Sequence, residues 1–364
     1  MPYCRKCGTK LADDAKYCYK CGAPFVNSAQ PAQPQTPHET PKKPNVPIRK
    51  NPLFIPVMVI IAITISALVI AVVASAPLNP VNFSEQNRIE QTGQNRLNLD
   101  FHANVGDIYV YTNLTEGMVL MDVSATGGTS LFSSDEPVTF MVQNITANGT
   151  QIVNANVSSL TSFPFSENLK VVCNIYVNPE ADLTLNVKSD VGEVHMVADS
   201  NTKISSLQFS TVTGIVFLNL QKGVTVNGGL TLKTDTGSAW FSMNEADING
   251  NFTFDISSST GDVNLNVTQT QTFNGNLQIN GRVGTGNVNL DKLLIDGEVA
   301  AKIQSNTGLG QIQLDVKHFN GNQSSIQSNN YPSTSNINMN FNTDIGNINL
   351  NATYQTSIEP TLRV

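Results

Sequence analysis

Residues 254–267 read FDISSSTGDVNLNV. Apolar and polar residues alternate on both sides of Gly261, with Phe254 and Ile256 before it and Val263, Leu265 and Val267 after it. A period of two is the signature of a strand with one buried face. A glycine between two such runs suits a sharp corner, because it reaches positive φ without a Cβ penalty. The stretch therefore reads as strand, corner, strand.

The same phrase recurs around Gly192, Gly214, Gly237, Gly286, Gly310 and Gly346, at steps of 22, 23, 24, 25 and 24 residues up to Gly310 and then 36; Gly106 starts an outlying copy. Two residues after each glycine stand Val194, Val216, Ala239, Val263, Val288, Ile312 and Ile348, and four after stand Met196, Leu218, Phe241, Leu265, Leu290, Leu314 and Leu350. Between them lie mostly His, Asn, Gln or aromatic residues. One such unit cannot bury its own apolar face, but stacked units make one axial core. The expected fold is all-β: an extracellular β-solenoid of about seven two-stranded coils over residues 181–364, with a β-rich cap at 101–180. An antiparallel sandwich is the competing arrangement of short strands; the constant phase relative to one glycine favours coils. The polar stretch 319–335 (FNGNQSSIQSNNYPSTS) reads as a loop inserted in the last repeat.

The segments LTLNVKSDVGEVHM (183–196), FDISSSTGDVNLNV (254–267) and KIQSNTGLGQIQLDV (302–316) resemble the β-helical adhesin-like domains of bacterial and archaeal surface proteins. The resemblance spans about half the chain and implies a surface binding module. That family offers no catalytic residues to transfer.

Upstream, residues 53–76 (LFIPVMVIIAITISALVIAVVASA) carry no charge. At 1.5 Å per residue they reach about 36 Å, enough for a hydrocarbon core of roughly 30 Å. They are expected to form a single transmembrane helix, whose membrane partner is lipid. Lys42, Lys43, Arg49 and Lys50 precede it, and the next cation is Arg88; the positive-inside rule puts the N-terminus in the cytoplasm and the C-terminal domain outside. A cleaved signal peptide ending at Ala74-Ser75-Ala76 is the alternative, but the run begins late and is long for a signal core.

Four of the five cysteines stand in CRKCGTKLADDAKYCYKC (4–21). Cys4 and Cys7 form one C-x2-C pair and Cys18 and Cys21 the other, each followed by a glycine. Two intervening residues let a turn aim both sulfurs at one ion, and four thiolates complete a closed tetrahedral Zn2+ site of the structural type. A redox pair is the alternative, which cysteine spacing alone also allows. The segment resembles the short zinc-ribbon module at the N-terminus of many bacterial and archaeal membrane proteins, which implies a structural metal and a docking surface for a cytosolic protein partner. The resulting domain plan is ribbon at 1–26, a proline-rich linker at 27–52, the helix at 53–76, a juxtamembrane linker at 77–100, then cap and solenoid.

Charge divides along the same lines. Residues 1–52 sum to +6 and the remainder to -13. An acidic outer domain lacks the clustered cations that phosphate binding needs, so no nucleic-acid partner is expected. His102, His195 and His318 share no metal spacing, and His195 sits at an outward, solvated strand position. Asp262 reads as a turn cap, and Cys173 as a buried small hydrophobe. Outward positions carry amides and hydroxyls rather than paired carboxylates, so no enzyme is expected. The function expected is an adhesin-like, membrane-anchored binding or structural protein at the cell surface, with a glycan or protein ligand. The alternative is a signalling or scaffold protein whose ribbon recruits a cytosolic partner.

Overall fold

The computed structural model describes Thr64 and residues 79–93, 95–129, 138–159 and 169–355. The ribbon, the proline-rich linker and, Thr64 apart, the expected membrane helix lie outside them. Among the described residues no helix is long and apolar enough to cross a membrane.

The N-terminal strands are β1 (Asn79–Ile89), β2 (Arg96–Val105), β3 (Asp107–Tyr111), β4 (Val119–Thr129), β5 (Val138–Ala147), β6 (Thr150–Ser159) and β7 (Lys170–Val177). The central strands are β8 (Asp182–Val191), β9 (Val194–Ala198), β10 (Lys203–Thr213), β11 (Val216–Leu220), β12 (Thr225–Val226), β13 (Leu230–Thr236), β14 (Ala239–Asn244), β15 (Asp247–Ile248), β16 (Phe252–Thr260), β17 (Val263–Gln269), β18 (Gly275–Thr285) and β19 (Val288–Asp296). The C-terminal strands are β20 (Val299–Leu309), β21 (Ile312–Lys317), β22 (Phe319–Asn322), β23 (Ser325–Ser328), β24 (Ser335–Ile345) and β25 (Ile348–Gln355).

Each repeat is one coil. Its first strand joins a 14-stranded sheet, its glycine turns the corner, and its second strand joins an 11-stranded sheet. Neighbouring coils pair in parallel, as β8, β10 and β13 do on one side and β9, β11 and β14 on the other. That parallel pairing rules out the antiparallel sandwich. The core lies between the sheets, where Phe241 of β14 meets Phe254 of β16 edge to face at 5.8 Å. Parallel register aligns like residues into axial rows. One runs Val153, Leu99, Leu185, Leu207, Leu230, Phe254, Ile279, Met339 and Ile303, all buried. Removing a large side chain from such a row leaves a cavity and costs about 2–5 kcal/mol.

The corner glycines also stack. Gly192, Gly214, Gly237, Gly261, Gly286 and Gly346 hold φ between 136° and 146°. A Cβ on Gly214 would stand 2.0 Å from the carbonyl oxygen of Gly192, so the corner excludes a side chain by contact as well as by φ.

Two parts of the plan need correction. The expected linker at 77–100 holds β1 and the start of β2. The chain from Arg96 is already a coil, β2–β3, paired in register with β8–β9; its alternation was readable, but no second glycine at the usual step marks it. The expected loop at 319–335 contains the hairpin β22–β23, which pairs antiparallel with β20. Its polar residues are compatible with a strand because the hairpin is an exposed edge.

Chain order and stacking order differ at both ends. Coil β6–β7 lies outside β2–β3, and coil β24–β25 lies between β18–β19 and β20–β21. Antiparallel strands then cover the ends: β5 on β6, β4 on β7, β1 on β4, and β23 on β20.

Candidate functional site

The parallel register that aligns the core also aligns the outward residues of the 11-stranded sheet. One outer row runs Asn174, Tyr109, His195, Phe217, Trp240, Asn264, Asn289, Asn349 and Gln313, one residue per coil. After Asn174 it is aromatic from Tyr109 to Trp240 and amide from Asn264 to Gln313. Strands lie about 4.8 Å apart, close to the stacking distance of aromatic rings.

The aromatic half is ordered by that spacing. His195 and Phe217 lie parallel, with ring centroids 4.1 Å apart and planes 3° apart. Tyr109 tilts onto His195 at 5.8 Å. In the adjoining row Tyr111 stacks on Tyr176 at 5.1 Å. Trp240 ends the aromatic run and is 41% exposed. His195 is outward, as expected, but flanked by two rings rather than freely solvated. Burial lowers its pKa below the usual histidine value, with Glu193 opposing. Burial raises the Tyr109 hydroxyl, assisted by Asp107 and Glu193. The half-stack is therefore a neutral, polarizable ridge.

The amide half is ordered by hydrogen bonds. The Asn289 side chain donates to Asn264 at 2.9 Å, and that of Asn349 to Asn289 at 2.8 Å. Each amide in the middle of such a ladder uses one N–H and one acceptor site along the axis, leaving a second donor and lone pair for a ligand. A matching ladder on the other sheet links Asn280 to Asp255 at 2.7 Å and Asn340 to Asn280 at 3.4 Å. A polar groove of about 530 Å³ opens beside Asp247, Asn249, Asn274, Glu298 and Thr334.

The remaining expected residues are placed separately. His102 meets Asp190 at 3.2 Å, and Lys188 meets the same carboxylate at 2.8 Å. These partners hold Asp190 below the usual carboxylate range, against the upward push of burial. His318 occupies the turn between β21 and β22 with φ 61°. Asp262 accepts from the backbone N–H of Asn287 in the next coil at 2.8 Å, the turn-capping role expected of it. Cys173 is fully buried in β7, and burial pushes its thiol up to about 12. Among the described residues no three or more His, Cys, Asp or Glu side chains gather to hold a metal. Cys4, Cys7, Cys18 and Cys21 lie outside them.

Sequence reading underrated the aromatic row. Phe217 and Trp240 follow the repeat glycines at the outward position three residues on, and Tyr109 does so after Gly106. That shared phase was the available signal. Tyr176 has no corner glycine before it, so nothing local announced it.

Residues 3–25, which contain all four N-terminal cysteines, match the zinc-ribbon domain family. No curated protein matches the chain. Among solved structures, the chain is similar to a candidate cell adhesion protein from Clostridium sporogenes, with 13% identity over 76% of this chain and 100% of that one and a TM-score of 0.35. It is also similar to a candidate adhesin from Bacteroides fragilis, with 13% identity over 74% of this chain and 96% of that one and a TM-score of 0.31.

Proposed function

We propose that the chain is a membrane-anchored binding protein of the cell surface, whose solenoid holds an extracellular glycan or protein ligand against the outer row of the 11-stranded sheet. The observation that carries this reading is the row itself: six aromatic or amide side chains, from Tyr109 to Asn289, in unbroken register on the outward side of one sheet, most of them half-buried and Trp240 exposed. Aromatic rings supply apolar contact area at small entropic cost, and the amides supply directional hydrogen bonds. The uncharged run 53–76 anchors the domain, and the charge asymmetry around it sets the orientation. The outer face supplies binding chemistry rather than a reaction, so we read the protein as a non-enzyme. The test is binding of the full chain in lipid nanodiscs to an array of envelope glycans and envelope proteins. A ligand retained by wild type and lost by Trp240→Ala with Phe217→Ala supports the reading. A ligand indifferent to both substitutions, or none on the array, defeats it.

At the other end, Cys4, Cys7, Cys18 and Cys21 are read as holding one structural Zn2+. Four thiolates in two C-x2-C pairs fit that ion, which would supply folding energy to a segment with few apolar residues. The zinc-ribbon match favours a second role, recruitment of a cytosolic partner on the proline-rich tether. A partner captured by the full chain and lost with Cys4→Ser would support it.

A further inference from the structure

Ahead of its first long strand, a coil can carry a short extra one. β12 and β15 are two such strands, paired in parallel, and the next coil continues this wall through the bridge between Asn249 and Asn274. The following two coils carry no strand there. β24 starts at Ser335 and β20 at Val299, both in register with Gly275 of β18. Asn274, Thr334 and Glu298 therefore stand in one axial row, each just before its strand. The polar groove of about 530 Å³ lies at the step where the wall stops. It crosses four coils from Asp247 to Glu298, which at one strand spacing per coil is about 14 Å. Its volume is within the ordinary range of small-molecule sites.

The groove is firm below and unengaged above. Ile248, Phe273 and Ser335 form a buried floor. The Ser335 hydroxyl accepts from the Phe273 N–H at 2.9 Å and donates to the Phe273 carbonyl at 2.6 Å, which ties adjacent coils together. On the walls, the side chains of Asp247, Thr272 and Asn274 have no hydrogen-bond partner among the described residues. The Glu298 carboxylate accepts only from the Thr334 hydroxyl, at 3.4 Å. Neither carboxylate has an ion-pair partner there, and no Lys or Arg lines the groove.

We propose that this groove, separate from the outer row of the 11-stranded sheet, binds a short glycan that carries free amino groups. Its two carboxylates suit ammonium groups, and its amides and hydroxyls suit sugar hydroxyls. The floor of Ile248 and Phe273 accepts the C–H faces of the rings. Other ligand classes fit less well. An anion finds no counter-charge. A metal ion finds no cluster of three or more His, Cys, Asp or Glu side chains among the described residues. An extended peptide needs backbone partners, but the N–H groups of Asp247, Asn249 and Asn274 already donate to Val224, Val226 and Ile248, and the Asn274 carbonyl accepts from Gly250. What the groove offers is side-chain chemistry, which a polyhydroxylated ligand can use.

The test is calorimetric titration of the full chain in lipid nanodiscs, at low ionic strength, with a glucosamine trisaccharide, its N-acetylated counterpart and trilysine. Asp247 and Glu298 are exposed, so Asp247→Asn with Glu298→Gln should fold as wild type. The glucosamine trisaccharide should bind wild type, and the double variant should weaken it by roughly ten-fold or more. Acetylation of the sugar should cost a similar factor. Glu180→Gln with Asp235→Asn, two carboxylates outside the groove, should leave binding unchanged. Absence of binding to wild type, full binding by the groove variant, or equal binding of the acetylated sugar overturns the proposal. So does equal loss in the control variant, which would reduce the effect to diffuse charge, or trilysine binding as tightly, which would assign the groove to peptides.

Discussion

The hydroxyl of Thr234 donates to the carbonyl oxygen of Gly214, one coil earlier, at 3.1 Å. The relationship repeats at the glycine corners. Ser189 donates to Gly106, Thr211 to Gly192, Ser258 to Gly237, Thr343 to Gly286 and Thr307 to Gly346, all between 2.8 and 3.0 Å. Each donor stands three residues before its own corner glycine. Each thereby satisfies the carbonyl of the neighbouring corner, where the chain turns.

One coil breaks the rule. Val283 stands three residues before Gly286, so the carbonyl of Gly261 receives no hydroxyl from this position. Val283→Thr should raise stability by about 1 kcal/mol, the usual net worth of a hydrogen bond. Thr234→Val should lower it by a similar amount. Urea unfolding midpoints at unchanged slope would measure both. A destabilising Val283→Thr would show that the added hydroxyl is buried without its partner.

Gly214→Ala should cost more than about 3 kcal/mol or prevent folding, since its Cβ would meet the Gly192 carbonyl oxygen at 2.0 Å. Gly297→Ala provides the contrast. Gly297 has φ 62° but nothing within 4 Å of an added Cβ, so only the left-handed backbone is penalised, by about 1–2 kcal/mol. Thermal unfolding of the two variants should separate contact from conformation.

Histidine 195 should make the solenoid acid-sensitive. Burial disfavours its charged form in the folded state, so its folded pKa lies below 6.5. The unfolded chain then binds more protons at intermediate pH, and stability rises with pH there. The contribution is full above pH 6.5 and is lost as pH falls through the folded value. His195→Phe should remove this component from the pH dependence of stability. An unchanged profile would mean the ring is freely hydrated.

Zinc content should be one ion per chain, abolished by Cys4→Ser. Chelation should leave the far-UV signal of the strands intact, because no cysteine ligand belongs to the solenoid. Cys173 should stay unreactive towards maleimide near neutral pH until the protein unfolds, since its thiol is buried and pushed up to about 12. Loss of strand signal on chelation would contradict this division.

The coils were legible because their information is local and repeated. Gly261, Val263 and Leu265 state a corner and a strand within five residues, and six other glycines restate it. The coil at Gly106 lacked neighbours at the regular step and so reads only as an outlying copy, and β6–β7 has no glycine between its strands, so periodicity passed over it. The hairpin β22–β23 was missed because Asn320, Asn322 and Gln327 give no apolar alternation; its strands exist by pairing with β20. The aromatic row was half visible. Each ring could be seen at its outward position, but His195 against Phe217 at 4.1 Å is a property of stacking between coils and not of either coil.

The intercalation of β24–β25 between β18–β19 and β20–β21 has a mechanical meaning. A spiral stacked in order of synthesis could be unreeled from its last turn, parting one ladder at a time. Here traction on β25 pulls on a strand gripped from both sides, and it must shear along β19 and β21 together before anything yields. The β24–β25 coil thus acts as a bolt. Once seated between the two flanking coils, it resists load along the solenoid from both sides.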